Sequence, residues 1–186
     1  MTGRPAGRPR PADPGAQPGP ARTPPPGAPG QARDRDPAGR PRNARPRDAL
    51  GRPLPRGAAG EDRIPDELAV PPEEALGLAQ GLLDSGRPFH AHEVLEASWK
   101  AAPPAERELW KGLAQIAVGL THARRGNATG AAALLRRGGQ RVGGYAGRAP
   151  HGIDAGAIAL QAAGLADRID ADGLAAAGDG AGFRLT

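Results

Sequence analysis

The sequence predicts an all-α fold, a compact bundle of about five helices preceded by a disordered Arg/Pro/Gly-rich tail. Three observations predict it. Apolar residues beyond about residue 70 recur at helical spacing. The segments they define open on proline or an asparagine or aspartate cap, and several close on glycine. No stretch alternates apolar and polar residues with β-branched enrichment, so strands are not expected.

The first helix starts at Pro71-Pro72-Glu73-Glu74, where proline supplies a helical φ and the acids complement the helix dipole. Leu76, Ala79, Leu82 and Leu83 follow at helical spacing, and Ser85-Gly86 ends the segment. Pro88 opens a second helix reaching about Lys100, and Pro103-Pro104 with Glu106 and Glu108 opens a third reaching about Arg125. Gly126-Asn127 provides a C-cap and then a new N-cap, so the fourth helix, from Ala128, folds back antiparallel. Asp154 caps a fifth, with Ile158, Ala162, Leu165 and Ile169 on one face.

Composition divides the chain near residue 60. Residues 1–60 hold 15 of the 22 prolines and 12 arginines against four acids, whereas the remainder carries 13 bases against 16 acids. The basic character therefore belongs to the tail, which has no aromatic residue and only Leu50 and Leu54 as large aliphatics. Nothing there offsets the entropy of ordering a chain, so residues 1–60 are expected to be disordered and dispensable for folding. The helical domain is placed at 61–175 and a flexible C-terminus at 176–186. With no cysteine, disulfides, thiolate zinc sites and cysteine nucleophiles are excluded. The most apolar run, Gly112 to Ala123, is interrupted by Gln115 and falls well short of the roughly 20 residues that span a bilayer. The N-terminus has no apolar stretch of signal-peptide length, so a soluble, cytoplasmic protein without membrane contact is expected.

The tail repeats Pro-Ala-Gly-Arg-Pro-Arg at 5–10 and 37–42, and Gly-Arg-Pro returns at Gly51-Arg52-Pro53. This is similar to the AT-hook core Arg-Gly-Arg-Pro, with alanine in place of the first arginine. Arginine-rich coding bias accounts for the same residues, 23 Arg against two Lys. Weak, salt-sensitive nucleic-acid contact is the partner class the tail allows. Homo-oligomerisation stays open.

The chemistry lies in the second helix, Phe89-His90-Ala91-His92-Glu93-Val94-Leu95-Glu96-Ala97-Ser98-Trp99. At about 3.6 residues per turn, Phe89, His92, Leu95, Glu96 and Trp99 share one arc, Glu93 borders it and His90 points the opposite way. A carboxylate and an imidazole on a core-facing stripe need partners. A divalent metal, an acid/base pair, or a hydrogen-bonded structural network including Trp99 each provides them. On the third helix, Gln115 lies within the apolar run and His122 on the same side as Lys111. Gly112 and Gly119 permit close approach by another helix, the second being one candidate.

These segments, with Gly112-Leu113-Ala114-Gln115 and Gly126-Asn127 followed by Gly130-Ala131, resemble the domain of unknown function 309 family over about residues 70–145. Its hallmark H-x-x-x-E-x-x-(W/Y) is met by His92, Glu96 and Trp99. The resemblance implies a compact helical fold and a suspected metal-binding role for the motif, with no known reaction. The resulting expectation is a metal site on His92 and Glu96, completed by Glu93 or His122 and supported by Trp99 and Gln115. Oxygen and nitrogen donors without sulfur suit zinc, manganese or iron. The alternative is a non-catalytic helical protein-interaction module in which the same residues form a structural network.

Overall fold

The computed structural model describes residues 45–62, 64–65, 68–148 and 150–185. The expected disorder of residues 1–44 falls outside these. Among the described residues the chain forms five α-helices: α1 Pro72–Asp84, α2 Pro88–Ala101, α3 Arg107–Arg124, α4 Ala128–Gly143 and α5 Ala155–Ala177. A 3-10 turn at Pro150–Gly152 precedes α5, which is interrupted at Gly173. The local signals act as their chemistry dictates. Proline occupies the first turn of α1 and α2, and the side chains of Asn127 and Asp154 accept hydrogen bonds from the Gly130 and Ala157 N–H groups.

Helix α3 is the centre of the bundle, packing against α2 on one side and α4 on the other. Leu109, Trp110, Leu113, Ile116 and Leu120 on α3 are buried with Leu95 of α2, Leu135 of α4 and Ile158 of α5. The close approach that Gly112 and Gly119 allow is made to α4 and not to α2. A Cβ on Gly112 would lie 2.9 Å from the Gly138 carbonyl, and one on Gly119 would lie 3.3 Å from that of Ala131. Two helices approach this closely where both present a small residue, and α4 supplies Ala131 and Gly138.

On both sides of the helices the described residues pack beyond the expected boundaries. At the C-terminus, Phe183 and Leu185 are buried. The Gln80 side chain of α1 donates to the Phe183 carbonyl and accepts from the Leu185 N–H, while Gln161 of α5 accepts from the Arg184 N–H. The segment expected to be flexible thus closes the α1–α5 face, because two inward apolar residues pay for its ordering.

Ahead of the helices, residues 45–61 form an arm on the start of α2. Asp48 caps a tight turn through the Leu50 and Arg52 N–H groups, and Gly51 adopts φ +73 against the Phe89 ring. Arg125 donates to the Leu50 carbonyl, and Glu61 pairs with Arg87 at 2.6 Å. The packed region therefore begins before residue 61. Glycine is required at position 51, since a Cβ there would sit 2.3 Å from Phe89 Cδ2 in a left-handed conformation. Overpacking of this kind costs about 1–3 kcal/mol. Gly51→Ala is expected to lower hydrogen-exchange protection of the Gly51, Leu54 and Glu61 amides by about tenfold or more. Unchanged protection would show that the arm is not held by this contact.

Candidate functional site

Helix α2 turns differently from the way its large apolar residues suggest. Its deepest side chains are Ala91, Val94 and Leu95, so the line facing the core runs beside the Phe89–His92–Glu96–Trp99 stripe. Phe89, His92, Glu96 and Trp99 are half-buried at the edge of the bundle. Of that arc only Leu95 lies on the buried line, because periodicity sets which residues share a face but not which face the neighbouring helices cover. His90, placed on the outside by the same arc, is only 2% exposed.

Along the stripe, His92 Nε2 lies 3.4 Å from Glu96 Oε2, and the other Glu96 oxygen lies 3.0 Å from Lys100 Nζ. These are contacts between successive turns of one helix. Burial holds the His92 imidazole below its ordinary pKa, against the opposing pull of Glu96, so the ring is neutral at pH 7. Its Nδ1 is buried without a hydrogen-bond partner, although the Ala114 backbone favours the protonated form weakly. Trp99 meets α3 through Lys111, whose ammonium sits 5.6 Å from the centre of the indole.

The residues expected to complete the site are not gathered there. His122, at the end of α3, has Nδ1 2.8 Å from Asn127 Nδ2 and belongs to the α3–α4 turn. Asn127 thereby uses its oxygen to cap α4 and its amide to hold His122. Gln115 faces α4 and accepts from Arg141 Nε at 3.0 Å, which partners it without reference to His92. Glu93 is half-buried on α2. Among the described residues no group of three His, Asp or Glu side chains is placed to hold a metal ion. His92 and Glu96 supply two donors where resident zinc takes three or four from the protein. By themselves these two donors do not make up a resident zinc site.

A second polar cluster, not foreseen from the sequence, lies at the other side of α3. His151 Nε2 is 2.7 Å from Glu106 Oε2, His151 Nδ1 is 3.6 Å from Glu73, and Trp110 Nε1 donates to Glu106 at 3.3 Å. The hydrogen bond from His151 leads in holding the Glu106 carboxyl below the usual glutamate range. His151 takes φ 55, which places its ring under the starts of α1 and α3. The cluster joins three chain segments about the indole of Trp110. Pro150-His151-Gly152 ahead of the Asp154 cap was the signal for it: a histidine between two turn-forming residues.

Fold and motif together define a small helical-bundle domain with a polar ladder on one helix edge. Residues 76–134 match the family described as a domain of unknown function, DUF309, so the resemblance read from the motifs holds over that stretch, from Leu76 on α1 to Leu134 in α4. The chain is also 48% identical over 48 residues to the uncharacterized protein YpuF of Bacillus subtilis (strain 168), an overlap of 25% of this chain and 28% of that protein. The chain thus spans little more than a quarter of the length of the curated relative it matches. No solved structure matches the chain. The arm, α5 and the C-terminal segment lie outside the family match.

Proposed function

We propose that this domain is a non-catalytic helical interaction module in which His92, Glu96 and Trp99 form a structural network tying α2 to α3. The observation that carries this reading is that the Glu96 carboxylate and the Trp99 indole are each engaged by neighbouring side chains. Glu96 is engaged by His92 and Lys100, and Trp99 is engaged by Lys111 of α3. A second reading keeps a divalent ion, zinc, manganese or iron, on His92 and Glu96 with water in the remaining positions. Its support is the 3.4 Å separation of Nε2 and Oε2 on adjacent turns, a spacing two ligands of one ion can share.

Thermal melting of the wild type, His92→Ala, Glu96→Ala and the double variant, each with and without Zn²⁺ or Mn²⁺, separates the two. For the network, both single changes cost about 1 kcal/mol or less, because half-exposed pairs one turn apart couple by only about 0.3–0.5 kcal/mol. Metal then leaves every melting temperature unchanged. A metal-dependent rise in the wild type that disappears in both single variants would replace this reading with the metal site.

A further inference from the structure

At the corner where the arm meets the end of α3, three guanidinium groups share one neighbourhood. Arg47 and Arg125 lie 5.5 and 6.0 Å from the centre of the same Phe89 ring, and Arg52 belongs to the turn between them. None of the three is in an ion pair among the described residues. Arg47 donates to the Gly51 carbonyl and Arg125 to that of Leu50, so what engages them is neutral backbone. Asp48 is the nearby acid: its Oδ1 accepts from the Leu50 and Arg52 N–H groups, and its single charge offsets part of the three. The surrounding cations are matched by contrast: Arg87 pairs with Glu61, and Arg124 pairs with Asp179. Burial, and then the like charges of Arg52 and Arg47 opposed by Asp48, holds the Arg125 pKa below its ordinary value. Three guanidinium groups held beside one carboxylate leave an excess of positive charge, which costs stability unless an anion joins them.

We propose that Arg47, Arg52 and Arg125 form a docking corner for the phosphate backbone of a nucleic acid. Charge complementarity argues for a polyanion, and the chain itself argues for a long one. The 44 residues preceding the corner carry eight arginines against three aspartates, spaced by proline and glycine, so positive charge continues along the sequence. A bilayer surface is a poorer match, because those residues offer no aromatic or large aliphatic side chain to insert. Base reading is not part of the proposal: the aromatic ring at the corner is covered by Gly51, which leaves phosphate as the recognised group. The corner adjoins the α2 stripe through Phe89, whose ring centre is 6.4 Å from that of His92, but it acts through guanidinium groups and not through the His92 and Glu96 donors, so the outcome with metal does not decide it.

The test is fluorescence anisotropy of the full chain with a labelled 20-base-pair DNA duplex across about 50–200 mM KCl. Arg47→Gln/Arg52→Gln/Arg125→Gln is expected to bind about tenfold or more weakly, with a log K against log salt slope shallower by about 2–3. A control triple of equal charge change, Arg136→Gln/Arg168→Gln/Arg184→Gln, is expected to alter affinity about threefold or less. Because Arg47 and Arg125 also hold the arm, Arg52→Gln alone is the cleaner variant, as its side chain is exposed and it is the Arg52 backbone N–H that bonds to Asp48 in the turn. It should weaken binding severalfold, reduce the slope by about 1, and leave the melting temperature unchanged. Equal losses in the two triples, or an unaltered slope in Arg52→Gln, would overturn the corner in favour of diffuse attraction. So would corner-dependent binding of poly-glutamate with no binding of DNA, which would make the partner an acidic protein.

Discussion

Replacing Trp110 with alanine is expected to cost about 3–5 kcal/mol, a large share of what holds a domain of this size together. The indole is only 2% exposed, lies in the first turn of α3, and donates to Glu106, which His151 also holds. Removing it leaves a cavity in the central helix and takes one donor from a carboxylate that bridges chain segments. The same change at Trp99 should cost less than about half as much, since that ring is half-buried at the bundle edge and its partner is the half-buried Lys111. Urea unfolding of the two variants makes the comparison. Trp110→Phe keeps one aromatic ring and loses the N–H and part of the indole volume, so it leaves a smaller cavity and remains measurable if the alanine variant is largely unfolded. Equal costs at the two tryptophans, or a larger one at Trp99, would mean that the motif edge is the true core.

Gly138→Ala should be the next most damaging small change. The new methyl would sit 2.8 Å from the Gly112 carbonyl oxygen and 3.0 Å from the Ile116 nitrogen, both backbone atoms that cannot rotate aside. Helix propensity favours alanine by about 1 kcal/mol, but separating α3 from α4 should more than cancel this, giving a net loss of about 1–3 kcal/mol. The sign reverses on α1. Gly77 and Gly81 have nothing within 4 Å of an added Cβ, so Gly77→Ala or Gly81→Ala should stabilise by up to about 1 kcal/mol. Melting temperatures of the three variants test this, and stabilisation by Gly138→Ala would contradict the α3–α4 crossing described above.

Where the sequence was legible, the signal was local. Pro72, Pro88, Asn127 and Asp154 start helices because a fixed φ or a capping oxygen acts within three or four residues, whatever the rest of the chain does. The motif was legible for the same reason: His92 and Glu96 meet because they stand one turn apart on one helix. Gly112 could be seen to invite a neighbour, but its partner could not be seen, since that depends on Gly138 arriving in register from 26 positions away.

By itself, then, the sequence determined the helices, their caps and the i to i+4 ladder at His92, Glu96 and Lys100, all products of backbone geometry and nearest-turn contacts. The tertiary structure decided which face each helix buries. It turned α2 about Ala91 and not about its aromatic residues, left the motif at an edge, and drew His122 and Gln115 to partners of their own. It alone brought His151 to Glu106, Phe183 to Gln80 and Gly51 to Phe89. Each of these joins residues more than 35 positions apart. Long-range contacts of this kind are set by the fit of whole surfaces, in which a missing side chain such as that of Gly138 counts as much as a large one. Periodicity along a single helix carries no record of that fit.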